Sequence, residues 1–254
     1  MPLVVRSLAA TYYAGHQVES HAHPWGQLVY SVAGVMRVTV QDTFWIVPPA
    51  RAVWAPPGVH HEIRAQGDYS MRTLYIAPEI ADRLPTVGRV IEVTPLLRQL
   101  LLRIVEIGML DNAQRPHDAL AQVLLDELAQ AQTLPISLVL PRDRRALVVA
   151  QRLQHEPSTR LGLTEIAAGS GASPRTIQRL FRDETGLRFA EWRRRLCLLH
   201  AMELLGEGTS VTLAGIEAGY ASTSAFVAAF RREMGFTPAK CRTVGGTTAR
   251  TGRS

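Results

Sequence analysis

The chain has 254 residues, room for two ordinary domains, with 46% hydrophobic residues, two cysteines and a formal net charge of +6. No run of about 18 apolar residues exists, and no basic segment leads into an apolar one at the N-terminus, so neither a membrane span nor a secretory signal is expected. Cys197 and Cys241 form neither a disulfide framework nor a metal-ligand pattern, which fits a cytoplasmic location. The charge is unevenly placed. Residues 1–134 hold 10 Arg against 12 acids, while residues 135–254 hold 18 Lys and Arg against 10 acids. The second half therefore carries the electrostatic footprint of a polyanion partner. Its cations are nearly all arginine, which forks onto phosphates and guanine edges.

Residues 1 to about 80 read as β structure. Segments 27–32, 35–40, 44–47 and 72–76 are rich in β-branched and aromatic residues, and Gly34, Pro48-Pro49, Pro56-Pro57-Gly58 and Gly67-Asp68 punctuate them. Short strands at this spacing predict a small barrel or jelly roll. The pattern changes over 94–133. Leu96, Leu97, Leu100, Leu101, Ile104 and Ile107 recur at helical spacing, as do Leu120, Val123, Leu124 and Leu128. Two helices follow, whose apolar stripes either cover the sheet or form a homodimer interface. Residues 134–143, with Pro135 and Pro141, read as an extended linker.

Beyond the linker one pattern occurs twice. A short helix centred on a small residue (Ala167, Gly215) is followed four residues later by a glycine (Gly171, Gly219), where the chain can turn at positive φ. A serine cap (Ser173, Ser222) and a second amphipathic helix follow. Each copy predicts a helix-turn-helix, whose second helix fits the major groove of DNA. The expected helices are 144–155, 162–171, 174–184, 189–205, 211–218 and 223–234, with Arg193, Arg194 and Arg195 projecting from the long one. In the first recognition helix, Ile177, Leu180 and Phe181 face inward and leave Arg175, Thr176, Gln178, Arg179 and Arg182 outward. Arginine and glutamine there suit guanine and adenine edges, and Arg182 suits phosphate. The second offers Thr223 and Ser224 near its start and Arg231 and Arg232 near its end. It reads as an anchor more than a base reader.

Residues 144–243 resemble the DNA-binding domain of the AraC/XylS family of transcriptional regulators. The resemblance rests on Ile166-Ala167, Gly171, Ser173-Pro174-Arg175, Gln178-Arg179-Leu180-Phe181, Glu184-Thr185-Gly186, Gly219-Tyr220, Ser222, Phe226, Phe230-Arg231-Arg232 and Gly235-Phe236-Thr237-Pro238. It implies two recognition helices per monomer in adjacent major-groove segments. It also implies base-reading positions at Arg175, Gln178 and Arg179, and at Thr223, Ser224, Val227 and Ala228. Family members often carry polar or Arg side chains at the last two positions, and this chain does not.

The N-terminal half has its own signal. His21-Ala22-His23, then Gln27 and Gly34, then Pro56-Pro57-Gly58-Val59-His60-His61, is similar to the paired motifs of the cupins. That similarity implies that His21, His23, Gln27 and His61 meet inside a barrel, with Gln27 where the usual acid stands. Imidazoles suit a divalent metal such as Zn, Fe, Ni or Cu. Three readings stay open: a metal site, a metal-free effector pocket, and remnant histidines. Trp25, Trp45 and Trp54 could line such a pocket.

The expected architecture is α+β with two domains. A cupin-like β-barrel with two appended helices (1–134) senses a small-molecule effector and dimerises. After a linker (135–143) comes an all-α domain (144–243) with two helix-turn-helix motifs joined by a long helix. Residues 244–254 are expected to be a disordered tail. The function expected is an effector-responsive, sequence-specific regulator binding double-stranded promoter DNA as a homodimer, without catalytic residues. The alternative is a cupin-type metal-dependent enzyme, an oxygenase or isomerase, with a fused DNA-binding domain.

Overall fold

The computed structural model describes residues 3–64, 67–134 and 137–241, so the tail expected at 244–254 lies outside them. In chain order the first part comprises β1 (Leu3–Tyr12), β2 (Gln17–His21), β3 (Gly26–Ala33), β4 (Met36–Val40), β5 (Thr43–Val47), β6 (Arg51–Ala55), β7 (His61–Arg64) and β8 (Tyr69–Ile76). There follow α1 (Pro78–Ala81), β9 (Arg89–Glu92), α2 (Pro95–Ile107), β10 (Met109–Asp111), α3 (Arg115–Gln130) and β11 (Ser137–Val139). Among the described residues the strands form a six-stranded sheet, β10-β1-β8-β3-β6-β9, and a five-stranded sheet, β11-β5-β4-β7-β2, with antiparallel pairing.

Side chains alternate across a strand, and here the alternation separates two cores. Leu28 and Tyr30 of β3 join Trp54, Leu74, Ile76 and Ile91, under Leu97, Leu101, Ile104, Leu124 and Leu125 of the two long helices. Val29 points the other way, with Val53, Ala55 and Met71, toward Val38, Phe44 and Ile46 of the five-stranded sheet. β3 is therefore buried on both faces, and its apolar run is unbroken for that reason. The result is a cupin-like fold with α2 and α3 closing its outer face. Most of their apolar stripe is used in that closure. Leu96 and Val123 stay 56% and 43% exposed.

The second part is helical: α4 (Arg144–His155), α5 (Leu163–Ile166), α6 (Pro174–Thr185), α7 (Phe189–Gly206), α8 (Val211–Glu217), α9 (Thr223–Met234) and a closing 3₁₀ turn (Pro238–Cys241). Helix α5 is shorter than the 162–171 expected. Gly169 and Gly171 take φ of 72° and 80°, and Arg152 of α4 donates to the carbonyls of Ile166 and Ala168. Those carbonyls are thus taken by a side chain in place of a fourth-neighbour amide. Gly215 in α8 is small for a direct reason. A Cβ there would lie 3.0 Å from Cβ and Cγ of Phe226 in α9.

Helix α7 is the hub, with Trp192, Leu196, Leu198, Leu199, Met202 and Leu205 all buried. Arg193 does not project as expected. Its Nη1 donates to the Leu161 carbonyl at 2.8 Å, and its Nη2 donates to that of Thr159. It ties α7 to the loop before α5, which is a better use of a guanidinium beside unpaired carbonyls than solvation. Residues 137–139 of the expected linker form β11, which pairs antiparallel with β5 (Leu138↔Phe44). Trp192 Nε1 then donates to the Val139 carbonyl at 2.8 Å, so a strand of the five-stranded sheet touches the helical hub directly.

Candidate nucleic-acid interface and histidine cluster

Helix α6 begins where Ser173 Oγ accepts from the Thr176 amide, and it ends at Gly186 with φ 73°. Ile177, Leu180 and Phe181 are buried. Phe181 meets the rings of Phe189 and Trp192 edge-on at 5.1 and 5.0 Å, which fixes α6 against α7. The opposite face leaves Arg175, Gln178, Arg179 and Arg182 exposed. Thr176 is half-buried and bonded to Ser173 Oγ at 3.0 Å. Arg179 lies 3.4 Å from Asp183 one turn on, an exposed pair that holds it weakly.

Helix α9 repeats the plan. Ser222 Oγ accepts from the Ala225 amide, and Gly235 closes the helix at φ 80°. Phe226, Ala229, Phe230 and Met234 are buried, while Ser224, Arg231 and Arg232 are exposed. Thr223 is half-buried and donates to Thr212 Oγ1 at 3.2 Å, which ties α9 to α8. Glu233 sits 3.6 Å from Arg232 and 3.7 Å from Arg194 of α7.

The sequence reading missed the side chains that hold this interface in place. Arg152 and Arg193 clamp the loops around α5. Glu184 of α6 accepts from the backbone amides of Arg142 and Asp143 at 2.7 and 2.9 Å. Arg142 in turn reaches Asp42, after β4, at 2.7 Å. Asp143 caps α4, and the Arg145 side chain and amide hold its carboxyl at about 2.

In the N-terminal part, all four residues expected to meet do meet. β2 and β7 pair with His21 opposite His61. His23 lies in the following turn, and Gln27 points inward from β3. The ring of His61 lies 4.5 Å from that of His21 and 5.0 Å from that of His23. One nitrogen from each ring lies within 4.8 Å of the others. Gln27 Oε1 faces His23 Nε2 at 3.1 Å, while its amide nitrogen donates to Thr73 Oγ1 at 2.9 Å. Burial pushes the His61 imidazole down to about 4, with His21 and His23 adding to that and a hydrogen bond to the Val59 carbonyl opposing it. Tyr75, whose phenol is raised by burial, completes the wall at 5.3 Å from His23. Thr73 and Tyr75 had no motif to announce them. Trp54 does not line this interior. It belongs to the outer core beneath α2 and α3, and its Nε1 donates to the Pro85 carbonyl.

Known proteins give two matches by family. Residues 4–129 match the AraC-like ligand binding domain, and residues 166–243 match a helix-turn-helix domain. The chain is similar to the HTH-type transcriptional regulator NimR of Escherichia coli (strain K12), with 32% identity over 220 residues, 87% of this chain and 80% of that protein. It is also similar to the HTH-type transcriptional regulator RipA of Corynebacterium glutamicum, with 42% identity over 101 residues, 39% of this chain and 30% of that one. Among solved structures, ToxT of Vibrio cholerae with a bound unsaturated fatty acid aligns over 92% of this chain and 93% of its own, with 11% identity and a TM-score of 0.38.

Proposed function

Because the chain belongs to the AraC family of helix-turn-helix transcriptional regulators, we propose that α6 and α9 enter adjacent major-groove segments of promoter DNA and that the cupin-like part governs that contact. The protein is a DNA-binding transcription regulator with a ligand-binding domain. Neither family match nor relative supports the enzyme alternative.

The observation that carries the reading is the pair of serine-capped helices, α6 fixed on α7 through Phe181 and α9 fixed on α8 through Phe226, each with an exposed polar end. Arg175, Gln178 and Arg179 read base edges, with Thr176 and Ser173 shaping the helix start. Arg182, Arg231 and Arg232 meet phosphates. Thr223 and Ser224 give α9 a smaller hydrogen-bonding repertoire, so most discrimination falls to α6. Footprinting the full chain on DNA flanking its own gene tests this. Protection of two segments about one helical turn apart is expected, and no protection in the presence of candidate effectors would refute it.

Regulation runs through the segment after α3. A small-molecule effector bound in the histidine-lined interior shifts the five-stranded sheet, and β11 passes the shift to Trp192 and α6. We further propose a homodimer through the outer faces of α2 and α3, where Leu96 and Val123 remain exposed, in the cytoplasm where promoter DNA is found. Leu96→Glu should give a monomer by light scattering, and an unchanged mass would place the interface elsewhere.

A further inference from the structure

Resting on the reading that α6 and α9 enter adjacent major-groove segments, we propose that the cleft between the two helix-turn-helix units is a third DNA contact. In it, Arg160 and Arg194 hold phosphates on either side of the minor groove that separates those segments. Two recognition helices one helical turn apart on one face of a duplex leave a minor groove between them, turned toward the protein. The surface that meets it is whatever the chain places between α6 and α9. Here that is an open cleft of about 920 Å³, walled by residues 157–160 ahead of α5, one side of α7, and residues 216–221 leading into α9.

The cleft opens away from the sensor. Trp192 and Glu203 of α7 face the five-stranded sheet, through Val139 and Arg37. Arg194 precedes Glu203 by nine residues, about two and a half turns at 3.6 residues per turn, and so stands on the opposite side of the helix. Ala190 and Cys197 line the cleft with it. Residues 219–221 run from the cleft into the Ser222 cap of α9, the end that carries Thr223 and Ser224. The cleft is therefore continuous with the surface that meets DNA.

The wall that carries Arg160 is tethered on both sides. Cys197 Sγ donates to the Pro157 carbonyl at 3.3 Å, and Ser158 Oγ donates to Glu217 Oε2 of α8 at 2.8 Å. Arg193 donates to the carbonyls of Thr159 and Leu161. Arg160 stands in the middle of this loop. It is exposed, and among the described residues its side chain makes no hydrogen bond or ion pair. The Ser158–Glu217 bond joins the first helix-turn-helix unit to the second, so it also sets the span over which the two arginines reach. Arg194 is 47% exposed and lies 3.7 Å from Glu233, which Arg232 approaches at 3.6 Å. A long, shared pair holds a guanidinium loosely. When Arg194 moves to a phosphate, Glu233 keeps Arg232. The acid lining the cleft, Glu217, is turned to Ser158, so what the cleft offers a ligand is two guanidinium groups on a fixed frame. A polyanion suits that surface.

The test uses the full chain on the DNA that it protects beside its own gene. Hydroxyl-radical footprinting reads the sugar edges of the minor groove, and titrations at several salt concentrations count phosphate contacts. Protection of the minor groove between the two major-groove segments is expected. Arg160→Ala and Arg194→Ala should each lower the slope of log affinity against log salt by about 1, and the double variant by about 2, with base preference unchanged in both segments. In the double variant the central protection should fade while the flanking segments stay protected. Arg194→Lys should keep most of the slope, because a phosphate contact asks for charge more than for a planar fork. Arg83→Ala, at an exposed arginine of the first domain, should change nothing. Urea curves establish that each variant is folded, and exposed Arg160 is the safer of the two sites. Two protected segments with an open centre overturn the proposal and leave the two-helix reading intact. So does an unchanged salt slope in the double variant. A changed base preference for Arg194→Ala overturns the phosphate assignment. No protection of any segment overturns the two-helix reading and this proposal with it.

Discussion

Arg37 of β4 and Glu203 of α7 form a two-pronged ion pair across the two domains. Nε and Nη2 of Arg37 each donate to a carboxylate oxygen of Glu203 at 3.1 Å. The side chains are 20% and 8% exposed, and His200 Nδ1 stands 3.5 Å from the same carboxylate. Arg37 also lies over the Phe44 ring at 5.0 Å, so the guanidinium is oriented before it meets its partner. The pair fixes the angle at which the DNA-binding hub sits on the five-stranded sheet. Its value lies in that orientation more than in net stability, since burying two charges costs about what their attraction returns.

Removing one partner is different, because the other charge is then stranded. Arg37→Ala should lower stability by on the order of 2–3 kcal/mol, below the range of about 3–5 kcal/mol for a fully buried pair, because Arg37 is partly solvated. The double change Arg37→Met with Glu203→Leu should recover most of the loss while changing how effector and DNA affinity are coupled. Urea unfolding reads the first and DNA titration with and without effector reads the second. An Arg37→Ala protein as stable as the parent would show that the pair is not made.

A second contact between the domains is steric. Gly206 ends α7 against the β3–β4 turn, and a Cβ at that position would lie 1.9 Å from Cγ2 of Val35. Alanine normally gains roughly 0.5–1 kcal/mol over glycine inside a helix. Here Gly206→Ala should instead cost about 1–3 kcal/mol through overpacking, and Val35→Ala in the same chain should relieve part of it. Thermal melting of the three proteins decides. A Gly206→Ala variant more stable than the parent would mean that α7 does not dock on this turn.

Trp192 joins both domains by one atom. Trp192→Phe keeps an aromatic ring against Phe181 but loses the donor to the Val139 carbonyl, at a cost of about 1–3 kcal/mol. Amide exchange should rise over residues 137–139, since β11 is a three-residue edge strand with little else to hold it. Exchange confined to α7 would show that the hub, and not the strand, depends on this bond.

What the sequence disclosed, it disclosed through local rules. Ser173 and Ser222 cap, Gly171 and Gly219 turn at positive φ, and the spacing of Ile177, Leu180 and Phe181 marks a buried face, so the paired motif was readable residue by residue. The histidine cluster was readable by another route, the likeness of residues 21–34 and 56–61 to the paired cupin motifs. The three-residue strands β10 and β11 exist only because β1 and β5 offer them edges, and no three-residue window announces that. The clamps made by Arg152 and Arg193 were hidden for a related reason. A guanidinium on a helix reads as a solvated charge until the loop whose carbonyls it satisfies is known. Glu203 was hidden too, since a buried acid in the apolar second half of α7 is explained only by Arg37, 166 positions away.

The division of labour between the recognition helices gives the last prediction. Arg179 is exposed on the outward side of α6 with only a weak pair to Asp183, so Arg179→Ala should leave folding unchanged. It should cost about 1–3 kcal/mol of DNA affinity and relax preference at one base pair. Arg231, exposed in the last turn of α9, should behave otherwise. Arg231→Ala weakens binding on every sequence alike and lowers the slope of log affinity against log salt by about 1. Titrations on a set of single-base operator variants at several salt concentrations separate the two behaviours. A uniform loss for Arg179→Ala would make α6 a phosphate clamp. An altered base preference for Arg231→Ala would give α9 a reading role that its alanine-rich face does not suggest.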